Sequence, residues 1–139
     1  MIDYIGETKI NYRKTNPKIS KASDIFNEIE DFKNKTQEHF ITIYLDGANH
    51  IIESRVISIG TLNQSLVHPR EVFSPAIEKR AASIIVAHNH PSGTLKPSRE
   101  DLKVTERLKE SGKILGIELL DHIIISVNGY LSFKDEDLL

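Results

Sequence analysis

The sequence predicts an α/β fold, a mixed β-sheet flanked by helices. Three observations predict it. Two β-rich runs, Phe40 to Leu45 and Ile51 to Ile59, flank the turn signal Asp46-Gly47. A short apolar run, Ser83 to Ala87, has the composition of a central strand buried on both faces. Around these runs, three stretches repeat apolar residues at helical spacing or carry helix-start signals, so helices alternate with strands and must pack on the sheet. At 139 residues the chain suits one domain, long enough to bury roughly two-thirds of its unfolded surface.

Taken in order, residues 1–19 are polar and read as a peripheral N-terminal extension. Pro17 argues against helix there, and Thr8 to Tyr12 is a candidate edge strand. Ala22, Ile25, Phe26, Ile29 and Phe32 recur at helical spacing, with Ser20 or Ser23 available as N-cap, which predicts an amphipathic helix over 21–33. The two β-rich runs follow as an antiparallel hairpin, and Gly60-Thr61-Leu62-Asn63 breaks the second strand. Pro69 suits a first helical turn, and Val72, Phe73, Ala76 and Ile77 keep the helical period, predicting a helix over 69–82. The apolar strand then delivers the chain into His88. Residues 88–97, with two prolines and a glycine, read as a loop. A helix begins at Ser98 and runs to about Ser111, with Gly112 as its stop. Leu119 to Val127 reads as a strand, Asn128-Gly129 as a type I′ turn, and Tyr130 to Phe133 as the returning strand.

Composition narrows the function classes. Hydrophobic content of 39% and charged content of 27% are ordinary for a globular domain. No apolar run approaches the roughly 20 residues of a bilayer span, and the N-terminus lacks a signal-peptide pattern, so no membrane partner is expected. The absence of cysteine excludes disulfides and thiolate metal sites and fits a cytoplasmic protein. A formal charge of −2 speaks against unaided nucleic-acid binding, which usually needs a strong basic patch; Lys14, Lys18 and Lys21 read as solvated surface. Nothing specifies an oligomeric state.

The chemistry concentrates at His88-Asn89-His90-Pro91, followed by Ser98 and Asp101. Catalytic zinc takes three nitrogen or oxygen ligands from protein and keeps a position for water. His88, His90 and Asp101 can supply that set. Two residues apart in extended chain, the histidines point the same way, and Asp101 falls in the first turn of the next helix. The plainer reading is that Ser98-x-x-Asp101 is a capping box and the histidines are surface residues. Either half alone would favour it; both halves at adjacent ends of a strand and a helix favour the metal. Zn²⁺, one per chain, is the expected cofactor. Hydrolysis also needs a carboxylate to move a proton, and Glu38, Glu53 and Glu71 are the candidates, Glu71 being an ordinary first-turn acid. Asp121-His122 is a second acid–histidine pair. It either supports the ligands from behind or is simply a polar pair at the start of a buried strand, the preferred reading from sequence. Ser92-Gly93 shapes the loop beside the histidines and is a candidate for the cleft wall.

The spacing His88-x-His90-Pro91, seven residues to Ser98 and two more to Asp101, resembles the JAMM metalloprotease motif of JAB/MPN domains. The wider string Val67-His68-Pro69-Arg70-Glu71, His88 to Gly93 and Leu120-Asp121-His122-Ile123-Ile124 resembles the RadC family more specifically, over about Ala22 to Phe133. The resemblance implies a cytidine-deaminase-like architecture and a single RadC-like JAB/MPN domain over 1–139. It also implies zinc on His88, His90 and Asp101, Ser98 donating to a developing oxyanion, and Glu38 as the general acid/base. The implied function is a zinc-dependent hydrolase of metallopeptidase or isopeptidase type with a peptide or protein substrate, in a family nominally linked to DNA repair. A non-enzymatic accessory module in DNA repair is the alternative, and a metal-dependent nucleic-acid hydrolase the third reading. RadC proteins carry an N-terminal helix-hairpin-helix region of DNA-binding type. This chain is expected to be the JAB domain alone, which weakens the inference of direct DNA binding.

Overall fold

The computed structural model describes residues 16–63 and 65–139. The Thr8 to Tyr12 strand lies outside the described residues. The elements are α1 (Ala22–Ile29), a 3-10 turn (Glu30–Asn34), β1 (His39–Leu45), β2 (Ile51–Ile59), α2 (Pro69–Glu78), β3 (Ser83–Asn89), α3 (Arg99–Leu115), β4 (Glu118–Ser126) and β5 (Gly129–Ser132). The strands form one mixed sheet in the order β2-β1-β3-β4-β5, parallel only between β3 and β4 and antiparallel elsewhere. The parallel pair is joined by α3, as a parallel crossover requires.

Helices cover both faces of the sheet. On one, Phe40, Tyr44, Ile84 and Val86 pack against Val72, Phe73 and Ala76 of α2 and Val104 and Leu108 of α3. On the other, Ile41, Ile43, Leu45, Ile85, Ala87, Ile123 and Ile125 pack against Ile25 and Ile29 of α1. The alternation along β1 and β3 is the two-residue period of a strand with both faces buried. Every residue of β3 is buried, as the run from Ser83 predicts. The Tyr44 hydroxyl donates to the Val72 carbonyl at 2.7 Å and ties α2 to the sheet; burial pushes the phenol up to about 12.

Several boundaries differ from the sequence expectation. The helix expected over 21–33 tightens into a 3-10 turn after Ile29. Neither Ser20 nor Ser23 caps α1. The Asp24 carboxylate does, accepting the Ser20 and Lys21 N–H groups at 2.8 and 3.1 Å. The polar extension meets the fold at Pro17, whose carbonyl accepts the Ile51 N–H at 2.8 Å, and Ile19 is buried in the core. α2 ends at Glu78 because Arg80 turns to φ 56°. β3 runs through Asn89, so His88 sits in the strand and not in the loop. Gly112 does not stop α3. The helix continues to Leu115 and ends at Gly116 in the left-handed region, φ 74°. Gly112 is instead a close approach, where a Cβ would run into the Ile117 carbonyl oxygen. The last hairpin turns on Val127-Asn128. Only Gly129 has positive φ, 120°, so the type I′ turn, which needs positive φ at both central residues, is not formed.

Candidate metal centre

β3 ends at the middle of the sheet beside the first turn of α3. His88 projects from the strand toward the face that carries α2 and α3, opposite Phe40 of β1 and Ile124 of β4. His90 follows one residue past the strand end. Asp101, at the third position of α3, faces both rings. His88 Nε2 lies 3.1 Å from Asp101 Oδ1, His90 Nε2 lies 3.2 Å from Oδ2, and the two Nε2 atoms are 2.9 Å apart. All three side chains are buried, and the ligand atoms lie within 4.8 Å of one another. Tetrahedral zinc with bonds of 2.0–2.1 Å sets its ligand atoms about 3.3 Å apart. The donor set therefore fits a small divalent ion with little opening, and this buried His88-His90-Asp101 group can hold one.

The backbone prepares the donors. The His90 Nδ1–H donates to the Thr94 carbonyl at 3.0 Å, which leaves Nε2 as the nitrogen facing Asp101. The Asp101 carboxylate accepts the Ser98 N–H at 2.7 Å, and the Ser98 hydroxyl oxygen accepts the Asp101 N–H at 3.0 Å. Asp101 belongs to the capping box and to the candidate donor set at once, so the two readings are not alternatives. The cap fixes the carboxylate. Burial would raise the Asp101 carboxyl, but the His88 and His90 rings and the Ser98 N–H hold it far below the usual carboxylate range. Burial works against the charged His90 ring, yet the hydrogen bond and charge of Asp101, the Thr94 carbonyl and the charge of Glu38 raise it.

A cleft of about 340 Å³ opens over this group, lined by Glu38, Leu62, His90, Ser92, Ser98 and Asp101 among others. Glu38 directly precedes β1, and its Oε1 accepts the Leu62 N–H at 3.0 Å. The other two carboxylates lie elsewhere. Glu53 pairs with Arg55 at 2.5 Å and Lys79 at 3.8 Å on β2, and Glu71 lines a separate surface groove with Arg55 and Ser74. Ser92 stands exposed on the cleft wall. Gly93 behind it adopts φ 90°, and its carbonyl accepts Ser126 Oγ at 3.0 Å and Asn128 Nδ2 at 2.8 Å, pinning the loop to the β4–β5 turn.

Asp121 and His122 separate in role. Asp121 faces away from the ligands and accepts the Ser132 hydroxyl at 2.5 Å and the His122 and Lys134 N–H groups. His122 is fully buried, and its Nε2 lies 2.8 Å from His88 Nδ1. The plain reading of the pair as a polar strand start therefore holds for Asp121 and fails for His122. Burial pushes the His122 ring well below the usual imidazole range. A bulge puts it there. Ile84 pairs with Leu119 but Ile85 pairs with Asp121, so Leu120 is an extra residue. Without it, His122 would point to the opposite face.

Three site-building residues carry no signal in the sequence argument. Thr94 fixes His90. Thr105, on α3, lies with Oγ1 2.5 Å from His122 Nδ1. Asn89, between the histidines, clamps the chain on either side of Glu38: its Oδ1 accepts the His39 N–H at 2.6 Å and its Nδ2 donates to the Gln37 carbonyl at 3.0 Å. Its place between the two histidines was the available signal for Asn89.

A sheet covered on both faces, with two histidines at the end of its central strand and an aspartate in the next helical turn, defines a metal-site domain of the JAB type. The chain matches the RadC-like JAB domain family over residues 19–138 and belongs to that family. It is 52% identical over 120 residues to a UPF0758 protein of Methanosarcina mazei, covering 86% of this chain and 52% of that one. It is 54% identical over 109 residues to a UPF0758 protein of Bacillus licheniformis, covering 78% and 49%. A UPF0758 protein of Rubrobacter xylanophilus is 50% identical over 124 residues, covering 88% and 54%. The chain thus spans about half the length of the curated relatives it matches. No helix among the described residues is long and apolar enough to cross a membrane.

Proposed function

We propose that this domain is a zinc-dependent hydrolase of peptide or isopeptide bonds, with zinc held by His88, His90 and Asp101. The carrying observation is that this buried donor set borders a cleft whose lining includes the Glu38 carboxylate and the exposed N-cap hydroxyl of Ser98. Bound zinc supplies Lewis-acid polarisation and a water acidified to a pKa of about 7. Glu38 takes the proton of the attacking water and returns it to the leaving nitrogen. The Leu62 N–H orients its carboxylate while leaving lone pairs for that transfer. The Ser98 hydroxyl donates to the oxygen that gains charge at the carbonyl carbon. An extended peptide or protein segment is the proposed partner, the cytoplasm the proposed location, and no direct nucleic-acid contact is assigned to this domain.

Metal content, measured by mass spectrometry on protein purified without chelator or metal-binding tag, tests the reading. About one zinc per chain is expected in the wild type, and none in Asp101→Ala. In a peptide and isopeptide screen, Glu38→Gln keeps the metal and loses turnover, whereas His88→Ala loses both. A wild type that takes up no zinc on addition sinks the enzyme reading and leaves an accessory module.

A further inference from the structure

Behind the three donors runs a buried chain of hydrogen bonds that returns to the residue it began from. Thr105 Oγ1 lies 2.7 Å from the Asp101 carbonyl oxygen, one helical turn back, and 2.5 Å from His122 Nδ1. His122 Nε2 then meets His88 Nδ1 at 2.8 Å, and His88 Nε2 faces the Asp101 carboxylate. Thr105, His122, His88 and Asp101 are all buried. The His122 ring is stacked on Phe133, centroids 4.4 Å apart, with Phe40 edge-on at 5.9 Å, so it has no room to turn or to take a water.

Counting hydrogens assigns every donor in the chain. A carbonyl oxygen only accepts, so the single hydroxyl hydrogen of Thr105 goes to Asp101. Toward His122 the Thr105 oxygen must then accept, which puts the hydrogen of His122 on Nδ1. Its Nε2 is left as an acceptor, and the hydrogen in the contact with His88 belongs to His88 Nδ1. His88 Nε2 is therefore the nitrogen left to face the Asp101 carboxylate, free to release any hydrogen it shares there and ligate a metal. The same answer follows from the opposite end. Ligation through His88 Nε2 places its hydrogen on Nδ1, and only a His122 bare at Nε2 can receive it.

We infer that Thr105 and His122 form a positioning relay that presets His88 as an Nε2 ligand, with Asp101 both anchoring the relay through its carbonyl and completing the ligand set through its carboxylate. The inference rests on the metal-site reading and adds two residues that never touch the ion. Thr105 supplies direction, because its hydroxyl hydrogen is committed to the Asp101 carbonyl. His122 carries that direction across from α3 to β3.

Two readouts test it. In ¹⁵N-labelled protein, two-bond proton–nitrogen correlations report which ring nitrogen of each histidine carries hydrogen. Zinc-free wild type is expected to show hydrogen on Nδ1 of both His88 and His122. A bare Nδ1 on either ring, or hydrogen on His122 Nε2, would overturn the relay, whatever the metal does. Separately, zinc affinity is measured by competition with a chromophoric chelator. Thr105→Val, which keeps the shape and loses the hydroxyl, is expected to bind zinc roughly 10- to 100-fold more weakly, and Thr105→Ser to bind like the wild type. Thr105→Val with a native amide spectrum and wild-type affinity would also overturn it. A wild type that binds no zinc defeats the metal reading instead, while the ring-nitrogen readout still decides the relay.

Discussion

At the scale of single residues, Asn89 serves the candidate site without lining its cleft. Its amide is fully buried and satisfies one donor and one acceptor on the residues that flank Glu38. Asn89→Ala leaves the His39 N–H and the Gln37 carbonyl without this partner, and each lost bond at this half-buried place costs about 1 kcal/mol. Urea unfolding should fall by about 2 kcal/mol or more while zinc content stays near one per chain; loss of zinc alongside would place Asn89 in the metal support and not in the Glu38 support. Asp121 gives a pH effect of definite sign. Burial raises its carboxyl above the ordinary value, against the Ser132, Lys134 and His122 donors. A group raised on folding contributes its stability below the unfolded value and loses it as pH rises through the folded one. Asp121→Asn removes that loss and keeps the acceptor for the two N–H groups. The stability of the variant relative to wild type should therefore increase as pH climbs above the ordinary carboxylate range. A difference that stays flat from pH 4 to 8 in urea titrations would contradict the assignment.

At the scale of elements, α3 is held by what its glycine lacks. Gly112 lets the helix pass Phe73 of α2 and the Ile117 carbonyl, whose own N–H donates back to the Gly112 carbonyl at 2.9 Å. Alanine would be the better helix former in isolation. Here Gly112→Ala should destabilise by about 1–3 kcal/mol, read as a lower urea midpoint at unchanged slope, because an added methyl in a filled space forces a shift. The same element marks where the sequence stops being readable. A glycine late in a helical pattern reads as a stop because local signals cannot distinguish a terminus from a close approach. The donors were legible: His88, His90 and Asp101 fall within one strand-to-helix junction, where spacing alone sets their relation. The His122 contact was not. It depends on the parallel pairing of β3 with β4 and on the Leu120 bulge, and both arise between elements distant in sequence. That Glu38, and not Glu53 or Glu71, lines the cleft likewise depends on the sheet bringing the start of β1 beside the end of β3.

At the scale of the whole molecule, the metal site joins the end of the central strand to a covering helix, so occupancy reports on the fold as a unit. A ligand that binds only the folded chain adds about 4 kcal/mol at a free concentration 1,000 times its dissociation constant. For a chain of this size that corresponds to roughly 10–15 °C in the melting midpoint. Calorimetry should show the wild type gaining on zinc addition and losing the gain with chelator, while Asp101→Ala melts alike in both; an equal response in the variant would mean that the ion acts elsewhere. The sheet order carries a different consequence. β2 stands at one margin, nine residues long, with no further strand beside it among the described residues. Its register against β1 is broken at two points, and its exposed middle carries Arg55 paired with Glu53. Irregular, charged margins resist strand-on-strand growth. Concentrated solutions at high salt, where Arg55 and Glu53 are screened, are where copies of the sheet should begin to add to one another.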